Sequence, residues 1–260
     1  MEERGLALSA RGVQMEYRDR QTARTLLAID NVDLDVAEGS FVSLLGPSGC
    51  GKSTFLKIVN GLLRATSGEI KLRSGGKARE DAMVFQDAAL FPWYSILDNA
   101  AYGLVCAGVS PKEARKRAGP YIDLVGLSGF ADKYPYQLSG GMQQRANLAR
   151  ALAVESAILL MDEPFAALDA QTREVMQAEL LRIWNAAKKT VLFVTHQIDE
   201  AVYLSDRVVV MAARPGRIIA DVTIDLPRPR VLAVKRTPEF ARYEEQIWGL
   251  IGQHEREPAQ

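Results

Sequence analysis

Apolar positions along this chain follow two rhythms. Ile158-Leu159-Leu160-Met161 and Val191-Leu192-Phe193-Val194 are uninterrupted apolar runs, which suit parallel strands covered on both faces. Phe41-Val42-Ser43-Leu44-Leu45 reads as another buried strand. Val32, Leu34 and Val36 alternate with Asp33 and Asp35, the period-two pattern of a half-buried strand. Residues 6–45 as a whole predict several strands, with a turn at Glu38-Gly39. Residues 68–72, 82–85, 208–211 and 217–224 predict four more. Helical texture appears at 97–105 and at 111–124, where Pro111 suits a helix start. It returns at 140–153, and at 170–188 between two apolar runs, which makes a strand–helix–strand crossover. After a linker, Leu226-Pro227-Arg228-Pro229-Arg230, a last helix over 238–253 places Phe240, Tyr243, Ile247 and Leu250 at helical spacing. The expected class is α/β with a helical insertion.

Composition narrows this picture. The 260 residues are 48% hydrophobic and 25% charged, which fits an ordered globular chain. Lys+Arg and Asp+Glu both number 32, and that balance argues against a nucleic-acid binder. Cys50 and Cys106 form no spacing motif, so a reducing compartment is expected. No apolar run approaches the roughly 18 residues of a membrane span. Met1-Glu2-Glu3-Arg4 lacks the basic and apolar regions of a signal peptide. The expectation is a cytoplasmic protein, held at a membrane only through a partner.

The chemistry begins at Gly46-Pro47-Ser48-Gly49-Cys50-Gly51-Lys52-Ser53-Thr54, which matches the phosphate loop G-x-x-x-x-G-K-[ST]. A predicted strand precedes it and a predicted helix, from Phe55, follows. Strand, glycine turn and helix N-terminus together make an anion site from backbone N–H groups and the helix dipole. Lys52 can reach the β- and γ-phosphates, and the Ser53 hydroxyl can ligate Mg²⁺.

Two further segments suit phosphoryl transfer. The run 158–161 ends in Asp162-Glu163, so the strand delivers two carboxylates to its C-terminal edge, where α/β sheets bind ligands. Asp162 suits the Mg²⁺ shell, and Glu163 suits a general base that polarises water. Ser139-Gly140-Gly141 opens a helix, giving a second N-terminus with free N–H groups. One active site needs only one phosphate loop. A second phosphate binder therefore suggests a residue set that completes a site in another subunit.

Leu138-Ser139-Gly140-Gly141-Met142-Gln143-Gln144-Arg145 is similar to the signature of ABC transporter nucleotide-binding subunits, and the resemblance covers residues 5–225. It implies a P-loop NTPase core with an antiparallel β subdomain and an α-helical subdomain at about 88–150, the ABC ATPase fold. It divides the chain into an ATPase domain, 1–230, and a helical extension, 231–260. By resemblance, Tyr17 stacks on adenine. Gln86, in Val84-Phe85-Gln86-Asp87, links Mg²⁺ and the attacking water to the helical subdomain. Asp169, in Ala167-Leu168-Asp169, belongs to a loop crossing a dimer interface, and His196 contacts the γ-phosphate. The implied catalytic residues are Glu163, His196, Lys52 and Gln86, and the Mg²⁺ set is Ser53, Gln86 and Asp162. The nucleotide would touch Tyr17, residues 46–54, Gln86, Asp162 and His196 of one copy. It would also touch Ser139, Gly140, Gly141, Gln143 and Asp169. The implied ligands are ATP and Mg²⁺, and the implied arrangement is a head-to-tail dimer of two copies.

The segment from Leu90 to Leu104 and the ending from Leu226 to Phe240 look like the importer branch serving nitrate, sulfonate and taurine. This resemblance implies membrane-spanning partner subunits docked near Phe91–Leu97, an external solute-binding protein acting indirectly, and a peripheral place on the cytoplasmic face of the inner membrane. An ABC exporter or lipid-transport ATPase shares every catalytic residue and stays open as an alternative. A soluble ABC ATPase acting on chromosomes or ribosomes fits less well. Only about 100 residues separate Lys52 from Asp162, with no heptad run between them, and the chain has a single cassette.

Overall fold

A computed structural model of the chain describes residues 5–18, 25–73, 81–86, 89–154, 156–166, 168–187 and 189–256. Among these, in chain order, lie β1 (Leu6–Arg18), β2 (Thr25–Ala37), β3 (Phe41–Leu45), α1 (Lys52–Val59), β4 (Ser67–Leu72), β5 (Asp81–Val84), α2 (Ile96–Cys106), α3 (Pro111–Leu124) and α4 (Gly140–Ala153). There follow β6 (Ile158–Asp162), α5 (Ala170–Ala187), β7 (Thr190–Thr195), α6 (Ile198–Leu204), β8 (Arg207–Ala212), β9 (Arg217–Thr223) and α7 (Pro238–Arg256). They form two compact units, residues 1–73 with 189–260, and residues 74–188.

In the first unit, β1 pairs antiparallel with β2 on one side and β4 on the other. The alternation at residues 32–36 is expressed as expected: Val32, Leu34 and Val36 are buried, while Asp33 is exposed. A second set of strands places β3 between β7 and β8, all parallel, with β9 antiparallel at the edge of β8. Every residue of β3 and β7 is buried. That burial explains why neither strand shows alternation in the sequence.

In the second unit, β5 runs parallel to β6. Helices α2, α3 and α4 pack on one another through small side chains: Ala100 and Ala101 of α2, Ala114 and Ala118 of α3, and Ala146, Ala149 and Ala153 of α4 are all buried. Short side chains at such contacts let helix axes approach closely. Serines cap all three helices. Ser95 accepts from Asp98 N, Ser110 from Glu113 N and Ser139 from Met142 N.

The element boundaries follow the expected ones with a few differences. Helix α7 runs three residues beyond 253, to Arg256. Helix α5 ends at Ala187, and the expected last residue, Lys188, lies outside the described residues, as does Ala88, the expected start of the helical subdomain. Of the residues at helical spacing along α7, Phe240 and Ile247 are buried and Tyr243 and Leu250 partly so. The linker also differs from a plain spacer, because Arg230 within it is 6% exposed.

Candidate nucleotide site

Strand register gathers the site residues of the first unit. Leu45 is paired with Thr195 across β3 and β7. The next residues, Gly46 and His196, therefore leave the sheet at the same edge. They line one cavity of about 800 Å³ together with Pro47 and Gln197. Cavities of a few hundred to a thousand Å³ suit small-molecule ligands.

The phosphate loop is wedged firmly in place. A Cβ at Gly46 would stand 2.5 Å from the Met211 carbonyl oxygen, and one at Gly216, in the β8–β9 turn, 2.1 Å from the Cys50 carbonyl oxygen. Gly216 also donates to Ala28 O at 3.0 Å and accepts from Asp30 N at 2.9 Å, so the turn is itself fixed. Gly51, the residue before α1, has φ 96° and offers no side-chain cap. The first N–H groups of α1 therefore face the loop without a side-chain acceptor, as an anion site requires. Lys52 is buried and donates to Gly46 O at 2.7 Å and Pro47 O at 2.9 Å. Cys50 is buried, with Sγ 3.7 Å from Lys52 Nζ, and burial pushes its thiol pKa up. Ser48 and Gly49 are exposed, Ser53 and Thr54 partly so. Tyr17, on β1, is 41% exposed, and its ring is open to solvent as a stacking surface would be.

In the second unit, register does the same work. Val84 pairs with Met161. Phe85 and Gln86 thus leave β5 at the edge where Asp162 and Glu163 end β6. Asp162 is buried, and Glu163 is partly exposed with φ 43°. A non-glycine residue held in the left-handed region costs of order 1–3 kcal/mol, and such strain clusters at functional sites. Ser139, Gly140 and the exposed Asp169 stand at solvent, with Gly141 and Gln143 partly so. Asp169 accepts from Thr172 N at 3.0 Å at the start of α5, and bonding to Thr172 holds its carboxyl below the usual range. Gln143 donates to Pro135 O at 3.0 Å and Leu138 O at 3.3 Å, bracing the turn before α4. Ala167 lies outside the described residues.

Several residues of this region go unremarked in a sequence reading. One face of α4 holds the chain that follows β5. Gln144 donates to Gln86 O at 2.8 Å, Asn147 to Phe85 O at 3.4 Å and Arg150 to Ala89 O at 2.8 Å. Their spacing of three, on a helix otherwise rich in Ala and Leu, is the available signal. Arg150 also lies 5.9 Å from the centroid of Phe91, inside a cluster of Phe91, Trp93, Tyr94 and Tyr102. Trp93 is 67% exposed there. Around the cavity of the first unit, Glu244 and Trp248 of α7 form a wall. Trp248 falls off the apolar stripe of its helix, and that misfit was its only mark in the sequence.

In the first unit a buried lysine, open N–H groups at the loop and the Ser53 hydroxyl suit the phosphates of a nucleotide; in the second, Asp162 and Glu163 offer two carboxylates at a strand end. Among the described residues no group of three or more His, Cys, Asp or Glu side chains could hold a metal by itself. No helix among the described residues is long and apolar enough to cross a membrane.

Comparison with known proteins agrees with this chemistry. Residues 29–166 match the family model described as ABC transporter. The chain is 46% identical over 238 residues to the taurine import ATP-binding protein TauB of Rhizobium johnstonii, covering 88% of this chain and 90% of that one. It is 42% identical over 242 residues to the nitrate import ATP-binding protein NrtD of a Synechocystis species, covering 90% and 91%. Among solved structures, the dimeric post-hydrolysis state of the ATP-binding cassette MJ0796 bound to ADP and Pi is similar, with TM-score 0.72 and 32% identity. The match covers 85% of this chain and all of that one.

Proposed function

Since this chain belongs to the ABC transporter family, whose ATP-binding cassettes hydrolyse ATP to drive transport, we propose that it is the ATPase subunit of an importer for a small solute of the nitrate, sulfonate or taurine kind. The observation that carries this reading is the pairing of Leu45 with Thr195, which opens the phosphate loop and His196 onto one cavity. Similarity to taurine and nitrate import proteins supports the importer branch.

In this reading the loop N–H groups and Lys52 bind the phosphates, and Tyr17 stacks on the base. Ser53 and Asp162, with Gln86, hold Mg²⁺, which neutralises phosphate charge when bound. Glu163 orients and deprotonates the attacking water. His196 hydrogen-bonds the γ-phosphate. Phosphoryl transfer asks little more of a protein than such positioning and charge complementarity. Ser139, Gly140, Gly141, Gln143 and Asp169 act on the nucleotide of a second copy, so two ATP molecules are sandwiched in a head-to-tail dimer. The dimeric state of MJ0796 supports that arrangement. The aromatic cluster around Trp93 receives a membrane-spanning permease subunit, and the chain works as a peripheral subunit at the cytoplasmic face of the inner membrane. Hydrolysis drives transport only if the open and closed dimers hold ATP differently.

The test is ATPase activity against protein concentration, with and without Mg²⁺. Mg²⁺-dependent activity rising more steeply than linearly is expected of paired sites. Strictly linear activity would refute the sandwich. Reconstitution with the permease distinguishes transport: Trp93→Ala should keep basal hydrolysis and lose stimulation by the membrane partner. Full stimulation in that variant would remove the aromatic cluster from the docking role.

A further inference from the structure

Helix α6 has seven residues and begins directly after His196-Gln197. A helix this short has little stability of its own, so its direction depends on what holds its ends. The last carbonyls of any helix also lack partners inside it. Here two arginines of the linker collect them. Arg230 donates to Val202 O at 3.1 Å, Tyr203 O at 3.1 Å and Ser205 O at 2.7 Å. Arg228 donates to Leu204 O at 2.7 Å. Four consecutive carbonyls are thus satisfied by two guanidinium groups, whose charge also suits the negative end of the helix dipole.

The rest of each arginine anchors the cap. Arg230 donates to Ile224 O at 3.1 Å and Leu226 O at 3.2 Å. Burial pulls its pKa down to about 10, so it stays charged at neutral pH. Arg228 also donates to Asp206 Oδ1 at 2.8 Å, while Asp206 Oδ2 accepts from Phe41 N at 2.9 Å, at the foot of the strand that leads to the phosphate loop. At the other end of α6, Lys235 donates to Asp199 at 2.9 Å and lies 5.1 Å from the centroid of the Tyr203 ring. Inside the first turn, Thr195 Oγ1 donates to buried Glu200 at 2.6 Å and accepts from Gln197 N at 3.0 Å.

We propose that residues 226–236 form a positioning clamp for His196. Arg228 and Arg230 fix the C-terminal end of α6, and Lys235 fixes its first turn. Through the helix they set the direction of His196. All three are positioning residues, acting through that side chain. The inference rests on the reading of His196 as the γ-phosphate contact.

Arg230→Met would leave five carbonyls without their donor and is expected to unfold the chain, so the test uses Lys235→Met and Arg228→Gln in the full chain. A small misplacement of a catalytic group remote from the substitution can cost up to about 10²-fold in rate. For Lys235→Met a fall in kcat of about tenfold is expected, with KM for MgATP within about twofold of wild type, and Lys235→Arg should restore the rate. The chain has two histidines, His196 and His254, so His254→Asn assigns their imidazole NMR signals. The His196 signal should shift in Lys235→Met and in Arg228→Gln. An unmoved His196 signal in both variants would overturn the clamp. So would a rate loss that Lys235→Arg does not restore. Wild-type ATPase activity in His196→Ala would instead refute the histidine's role, and the NMR result would still report on the clamp.

Discussion

Lys52 Nζ donates to the carbonyl of Gly46 at 2.7 Å, so the cation expected to bind phosphate is bonded to its own loop. A charged hydrogen bond contributes about 1.5–3 kcal/mol. In the proposed reading Lys52 exchanges these carbonyl partners for phosphate oxygens, and that exchange needs little new side-chain ordering because the lysine is already buried. Lys52→Ala is therefore expected to weaken MgATP binding by roughly 10- to 100-fold. Isothermal titration measures it, and unchanged affinity would contradict the phosphate-loop assignment.

Gly216 should matter to nucleotide binding although it offers no side chain to it. A Cβ there would meet the Cys50 carbonyl oxygen at 2.1 Å and the Ala28 carbonyl oxygen at 2.9 Å, both backbone atoms. Gly216→Ala must push the phosphate loop away from the β8–β9 turn. The expected outcome is a loss of ATP affinity of about tenfold or more in a chain that still gives a native far-UV circular dichroism spectrum.

Glu163→Gln keeps the shape of the acid and removes its basicity. Loss of a general base costs about 10² to 10⁴ in rate. Binding should survive, so ATP should accumulate in a stable dimer. Light scattering after size exclusion with MgATP reads this directly. A monomer under those conditions, or hydrolysis at the wild-type rate, would count against Glu163.

Asp98 gives a pH-dependent stability term in the helical unit. Arg115 holds it at 2.6 Å through both Nε and Nη2, and that bonding lowers its pKa, assisted by Ser95. A carboxyl with a depressed folded pKa stabilises the fold fully above its unfolded value, about 3.9, and the contribution fades as pH falls through the folded value. Because Arg115 is largely exposed, the term is modest, about 0.5–1 kcal/mol. Asp98→Asn should lower Tm at pH 7, and the difference from wild type should shrink below about pH 4. A difference that persists unchanged in acid would point to packing instead.

Asn99 organises the loop that presents Trp93. It is fully buried, accepts from Phe91 N at 2.7 Å and donates to Phe91 O, Tyr94 O and Ser95 O at 3.0–3.1 Å. Asn99→Ala leaves buried groups unpartnered and is expected to cost about 2–4 kcal/mol. Thermal denaturation checks the stability. Permease-stimulated ATPase activity should fall more than basal activity, since the aromatic loop loses its support.

Much of this was legible in the residues alone. The glycine loop with Lys52, the acids after 158–161 and the serine–glycine opening of α4 are local patterns. Their chemistry depends on neighbours within a few residues, so spacing is enough to find them. The helices over 111–124 and 140–153 were equally clear, because Pro111 at a first helical position and Ser139 at a cap act within one turn of the chain.

The tertiary structure decided what depends on strand register and on contacts between distant segments. Val191–Val194 is apolar on every position, so no pattern within it tells which residue will stand beside Leu45. Only the pairing with Thr195 brings His196 and Gly46 to one cavity. Gly216 reads as an ordinary turn glycine until the Cys50 carbonyl is found against it. Arg228 and Arg230 read as exposed linker charges, because a sequence records donors without their acceptors. The acceptors are backbone carbonyls 24 to 28 residues upstream, and a backbone carbonyl has no letter of its own. Local chemistry is written in residue types, while the burial of a charge is decided by where the fold puts the oxygens that satisfy it.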